Sequence, residues 1–431
     1  MKPTVIRRNP VVLALALAGT SAGQALAAVP DYVDIQLQAR TNLLVNDNGY
    51  NLPPGSSFNS ITAVINNDGW VAFPVQLVTL PDDPSDMAPG IWLGRDGKGG
   101  IVYRHEAPVE NISDRVAIDA GARVAYITSN DFSDYRIWLY DPVEEESAPV
   151  GLPPPTPTSL ANISLGDDGV VGYQVTFAGN RAFASTRAFA TPPDSVTHVV
   201  DSGIDPLSPY GYLYSPAMNN QRVIAGKVNV GPSLDNKEEI RLFSADGSSV
   251  RVVADSDIDP SSPFTGFDNS VAVNDHGAVA AVVRLPGNGR AVYRFDAEGA
   301  VEIARKGDGP VTDIEFFAPA INNSGLVVFR ATDANGQAIY VGDGQSLVRV
   351  AGRGDVLVTD LGPAQIGQHD SSPVFSGAPH INDNGDVVFI AALHPEENSQ
   401  VEWGTGVFVA RAAAGKDDTI FANGFEGDVP P

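Results

Sequence analysis

The sequence predicts an all-β fold, a seven-bladed β-propeller of four-stranded antiparallel blades. Three observations predict it: one unit recurs seven times, each unit holds alternating apolar and polar segments of strand length, and an unmatched strand stands near each end of the repeat region. A repeat of about 53 residues is a supersecondary unit that cannot bury its own apolar face, so successive copies must stack.

The copies align on the glycine of Ile65-Asn66-Asn67-Asp68-Gly69. Equivalent positions fall at Ala122, Gly169, Arg222, Gly277, Gly325 and Gly385, at spacings of 53, 47, 53, 55, 48 and 60. An apolar residue stands four positions earlier in every copy, and five copies carry Asn three positions earlier: Asn66, Asn219, Asn274, Asn322 and Asn382. Alternating β-branched and aromatic residues around an Asn/Asp-Gly pair read as two strands joined by a tight hairpin, for which a type I′ turn with two positive φ angles is expected. Two more short strands follow in most copies, such as 338–341 with 347–351. Four antiparallel strands in about fifty residues make a propeller blade. The last copy stops before a fourth strand, while residues 34–39 form a stray strand ahead of the first hairpin. Pairing 34–39 with 406–411 completes the seventh blade and removes two exposed edges.

The clearest copies, Ile321 to Phe329 and Ile381 to Phe389, resemble the tandem Asn-x-x-Gly-x-Val-x-Phe repeats of secreted bacterial proteins, many of them uncharacterised and propeller-like. The resemblance covers most of residues 60–411 and brings no catalytic residues with it. The end of the chain, Ile420-Phe421-Ala422-Asn423-Gly424-Phe425-Glu426, resembles an Ile-Phe-x-x-Gly-Phe-Glu tail found on many exported proteins of Gram-negative bacteria.

The expected organisation is a signal peptide (1–27), one propeller domain (28–411) and a C-terminal tail (412–431). Lys2, Arg7 and Arg8, the apolar run from Val11 and the small residues Ala25 and Ala27 have the layout of a Sec-type export signal. Its apolar run is shorter than the roughly 20 residues of a spanning helix. The expected location is therefore periplasmic or extracellular, with no transmembrane segment after cleavage. Cutting there removes three bases and no acids, taking the formal charge from −25 to −28. That charge argues against nucleic acid and anionic lipid as partners. The absence of cysteine excludes disulfides, thiolate metal sites and cysteine nucleophiles.

Turn lengths separate two faces. The first-to-second and third-to-fourth strand turns are tight and share one side. The long connections, 78–89, 229–238, 394–405, 201–215, 255–269 and 352–378, share the other, where binding residues are expected. Trp403 stands there with Glu396 and Glu397 as a candidate hot spot, or else folds back over the outer edge of the closing blade. Asp82, Asp83 and Asp86, with Glu396 and Glu397, have the oxygen donors that calcium takes, although a solvated acidic surface is the simpler expectation and no cofactor is expected. His369, Asp370 and His380 lie in or beside the longest connection and form the best trio for acid-base or metal chemistry among six histidines without metal-ligand spacing. Aromatics ahead of the hairpins (Phe58, Tyr212, Phe267, Phe317, Phe375) suit packing between blades better than a sugar platform. No nucleophile elbow is present. The leading functional expectation is an exported, non-enzymatic binding or interaction protein using the long-loop face, with a protein or glycan partner. The alternative is a hydrolase or lyase of extracellular polysaccharide with carboxylates at the channel mouth.

Overall fold

The computed structural model describes residues 28–413 apart from 42–48, 58–60, 81–82, 107–108, 110, 191–193, 232–236 and 370–371. The expected signal peptide and all but two residues of the expected tail lie outside the described residues. Seven antiparallel sheets follow one another along the chain. Blade 1 spans 64–104, blade 2 111–149, blade 3 159–200, blade 4 210–254, blade 5 266–305 and blade 6 313–352. Blade 7 combines Phe375–Ile381, Val387–Pro395 and Thr405–Arg411 with the N-terminal strand Asp34–Arg40. No described helix is long and apolar enough to cross a membrane.

The second strands of the blades are buried along nearly their whole length, so apolar side chains cover both faces of each sheet and the core divides into seven clusters, one per neighbouring pair of blades. Phe73, Trp92, Ile390 and Val407 fill the space between blades 1 and 7, for example, and Phe183, Leu213 and Phe243 that between blades 3 and 4. Arginines of one blade cover aromatics of the next: Arg181 lies 4.1 Å from the Tyr212 ring and Arg290 3.7 Å from that of Phe316, while Arg330 covers Phe317 of its own blade. Tyr212, Phe267 and Phe375 of the recurring aromatics thus serve packing between blades, and Phe58 lies outside the described residues.

Ring closure follows the expected pairing. The closing strand is antiparallel to Thr405–Arg411, from Asp34 opposite Arg411 to Arg40 opposite Gly406, with a bulge between Leu37 and Ala39. The bulge turns the buried Gln38 toward blade 1, where its Oε1 accepts from the Gly97 amide at 3.0 Å. Arg40, 1% exposed, forms a bidentate pair with Asp360 and donates to the Trp403 carbonyl at 2.9 Å.

Three local expectations need correction. In the repeat hairpin only the anchor residue has positive φ (80° at Gly69); the Asn66 carbonyl accepts from the Gly69 amide, and the Asn66 amide donates to Trp70 O, both at 3.0 Å. This is a three-residue turn with a glycine bulge, not the two-residue type I′ turn, because the side chain at the Asn position caps the turn and lengthens it by one residue. The two copies without glycine keep the geometry, at φ 61° for Ala122 and 60° for Arg222. Residues 78–89 form mainly a paired ribbon, since Val71–Leu80 stays paired with Asp83–Arg95, through a register shift after Val78, as far as Leu80 opposite Asp83. The 352–378 connection contains a hairpin, Val356–Thr359 with Gly362–Ile366, whose second strand extends blade 7 by pairing with Leu393, His394 and Pro395.

Candidate functional site

The two faces differ in how their polar groups are used. On the turn face, the repeat Asn side chain does two jobs. Asn322 Oδ1 accepts from the Leu326 amide of its own turn at 2.9 Å, while Nδ2 donates to the Asn382 carbonyl of the next blade at 3.0 Å. The same clasp runs from Asn219 to Asn274, Asn274 to Asn322, Asn382 to Asn66 and Asn66 to Asp119. It lapses at Asp119, which has no amide to donate, and at Gly166, which has no side chain. One residue further along, a second belt rings the channel mouth: Asn67, Ala120, Asp167, Asn220, Asp275, Asn323 and Asp383. Main-chain amides donate to neighbouring side chains at 2.8–2.9 Å, as from Asp275 to Asn323 and from Asp383 to Asn67. The Asn323 amide group reaches both Asp275 and Asp383 at 3.0 Å. The carboxylates at this mouth are thus engaged in holding blades together.

The residues singled out on the long-loop face separate. Trp403 is half-buried against the blade 7 core, and its amide donates to Leu393 O at 2.8 Å. Glu396 and Glu397 are exposed at the tip of the same loop. Asp82 and Asp370 lie outside the described residues, and the side chains of Asp83 and Asp86 are likewise not described. His369 is exposed and bonds Glu402 through Nδ1 at 2.8 Å, whereas His380 lines the central channel. Among the described residues no three His, Asp or Glu side chains come together as a metal site. Asp355 of Arg353-Gly354-Asp355 is held by Arg349 and the Gly352 amide, as a turn residue after a fourth strand.

Between blades 1 and 2 the same face opens into a cleft of about 530 Å³. Tyr103 and Trp138 wall it, Arg104, Glu106, Asn130, Asp134 and Arg136 supply its polar groups, and His105 lies at its base. The strand order explains the grouping: blade 1's fourth strand ends, and blade 2's second and third strands meet, on the long-loop side. Trp138 Nε1 donates to Thr128 Oγ1 at 2.7 Å, fixing the indole. The buried His105 ring meets Tyr103, Tyr126 and Trp138 edge to face and bonds the Tyr126 hydroxyl at 2.9 Å; that hydroxyl donates to Ser147 at 2.7 Å. Burial pulls the His105 imidazole down to about 4, so the cleft base is uncharged at neutral pH. Arg136 and Asp134 pair at 2.9 Å on the exposed rim. Sequence reading missed this group; the repeat register was the available signal, since it puts Tyr103 and Trp138 on adjoining strands of neighbouring blades.

A family described as being of unknown function, DUF7453, matches residues 297–424. No curated protein matches the chain. Similar solved structures include TolB from Acinetobacter baumannii, at 15% identity and TM-score 0.42 over 65% of this chain and 63% of that one. A puromycin-hydrolyzing peptidase of Mycobacterium tuberculosis is similar at 12% identity and TM-score 0.49, over 87% and 56%. A chain of a mitotic checkpoint complex is similar at 11% identity and TM-score 0.45, over 94% and 100%. The chain thus spans about six tenths of the length of the first two. The propeller assignment itself rests on the strand pairings above.

Proposed function

We propose that this is an exported, propeller-type binding protein that takes a glycan in the cleft between blades 1 and 2. The observation that carries the reading is the cleft itself: a concave site on the long-loop face with an aromatic wall, a neutral base and polar side chains at its rim. A pyranose ring has one apolar face and a periphery of hydroxyls, which suits a tryptophan or tyrosine wall beside carboxylate, amide and guanidinium partners. The volume falls in the range of small-ligand sites. Polysaccharide cleavage has less support, because Asp167, Asp275 and Asp383 at the channel mouth are taken up by the belt.

The test is a glycan array probed with the purified mature protein, followed by titration of any ligand found. Trp138→Ala and Asp134→Ala should each weaken binding at least tenfold while the protein stays folded. Array binding that survives both substitutions, or none by the folded protein, would sink the proposal. Trp403→Ala serves as a second locus on the same face, and loss of binding there alone would move the site to the blade 7 loop.

A further inference from the structure

The inner strands of the seven blades surround a central channel of about 210 Å³. Its lining side chains are mostly apolar, with polar main-chain groups exposed between them, and include no Asp or Glu among the described residues. One full cation faces it, Arg115, at the long-loop end of blade 2's inner strand. The fully buried Arg40, Arg290 and Arg330 are matched by Asp360, Asp268 and Glu315, whereas Arg115 is half-buried. The Arg115 guanidinium has no hydrogen bond or ion pair within the described structure; its carbonyl and amide contact Ser113, and the exposed neighbour Asp114 acts on it only at a distance. Burial depresses its proton affinity below the ordinary arginine value, as expected for a charge without a close counter-ion.

His380 lines the same channel from blade 7. Its Nδ1 faces the Ile65 amide at 3.4 Å and is therefore the acceptor. That assignment leaves the proton of the neutral ring on Nε2. Burial first, and the Arg115 charge second, hold this imidazole down at about 4, so it is a neutral donor at physiological pH. The channel thus holds a guanidinium fork and an imidazole N–H with no carboxylate among its lining residues. His380 also borders the opposite mouth, where Asp167, Asp275 and Asp383 stand and the Asp383 charge partly offsets that of Arg115 at the ring; these carboxylates would repel an anion from the turn face and leave the Arg115 end as the favourable approach.

We propose that the central channel binds a small organic carboxylate, whose negative group pairs with Arg115 and accepts from His380 Nε2 while its apolar body fills the sleeve. A guanidinium matches a carboxylate in bidentate geometry, and the channel has room for a short-chain or single-ring acid. The site is separate from the cleft between blades 1 and 2, and the two readings stand or fall independently.

The experiment is calorimetric titration of the purified protein with butyrate and benzoate, alongside butyramide, chloride and inorganic phosphate. The carboxylates should bind and raise the melting temperature with concentration, the uncharged amide should not, and the two inorganic anions should bind at least tenfold more weakly. Arg115→Gln should lose at least tenfold in carboxylate affinity, and Arg115→Lys should restore part of it. Because Arg115 lacks a close partner, Arg115→Met without ligand should fold with stability equal to or above that of the parent. The proposal is overturned by carboxylates that do not bind the folded protein, by equal binding to Arg115→Gln, or by equal affinity for chloride and phosphate. An Arg115→Met variant that fails to fold overturns it too, because the guanidinium would then be structurally compensated.

Discussion

Ala122 holds a left-handed backbone at a position where most copies of the repeat use glycine. A Cβ in that conformation costs about 1 kcal/mol or more. Ala122→Gly should therefore raise stability by about 1 kcal/mol, read as a higher urea midpoint at unchanged slope. Arg222 has the same backbone, but its guanidinium bonds Ser185 and reaches Asp194, so glycine there would forfeit contacts as well as strain. His105 gives a residue-scale prediction of another kind. Its folded value of about 4 lies below the ordinary 6.5, so its contribution to stability is complete above pH 6.5 and is lost as pH falls toward 4. The loss from this one ring is on the order of 3 kcal/mol. An NMR titration should put the His105 midpoint near 4, and a midpoint near 6.5 would show that the ring is not enclosed as described.

Between elements, the blades are joined by ion pairs as well as by apolar packing. Glu238 of blade 4 accepts from Lys227 at 2.8 Å within its own blade and from Arg284 of blade 5 at 2.6 Å, and also from the Phe267 amide at 2.8 Å. Glu238→Ala would leave the buried Lys227 ammonium without a paired carboxylate, held by the Phe267 carbonyl, Asn269 and the Tyr214 ring face. The expected cost is about 3–5 kcal/mol in chemical denaturation; a change below 1 kcal/mol would show that the lysine can reach water. At this scale the sequence was legible where local pattern decides structure. The seven anchors, the strand alternation and the matching of 34–39 to 406–411 could all be read from residue type and spacing. The turn type could not, because Asn at that position suits both a type I′ turn and a side-chain cap. Nor could the 356–366 hairpin, whose partner is the far end of a strand nearly thirty residues away.

Across the whole molecule, closure depends on a strand contributed from the opposite end of the domain. Removing residues 34–40 would strip the outer edge of blade 7, expose Val407, Phe408 and Val409, and break the Arg40 contacts to Asp360 and Trp403. The truncated protein should lose cooperative unfolding or aggregate, whereas adding back a peptide of residues 30–41 should restore part of its thermal stability. The cleft and the channel were not legible, because both are enclosed by several blades and no single repeat forms either, and the blade 2 copy that supplies Arg115, Trp138 and Asp134 is the one that departs furthest from the pattern. The belt at the turn face has a further property, which is one of parity. Amides and carboxylates alternate around it, Asn67, Asp167, Asn220, Asp275, Asn323 and Asp383, and this order satisfies every neighbour. An odd cycle cannot be coloured with two alternating types; a seventh polar member must repeat the chemistry of one neighbour. Ala120 stands where that repeat would fall, between Asn67 and Asp167. Ala120→Asp should cost about 1 kcal/mol by setting a carboxylate against Asp167, while Ala120→Asn, beside an amide that can both donate and accept, should be nearly neutral. That the number of blades is odd is therefore written a second time in the molecule, as the single residue at which a two-letter alternation is interrupted.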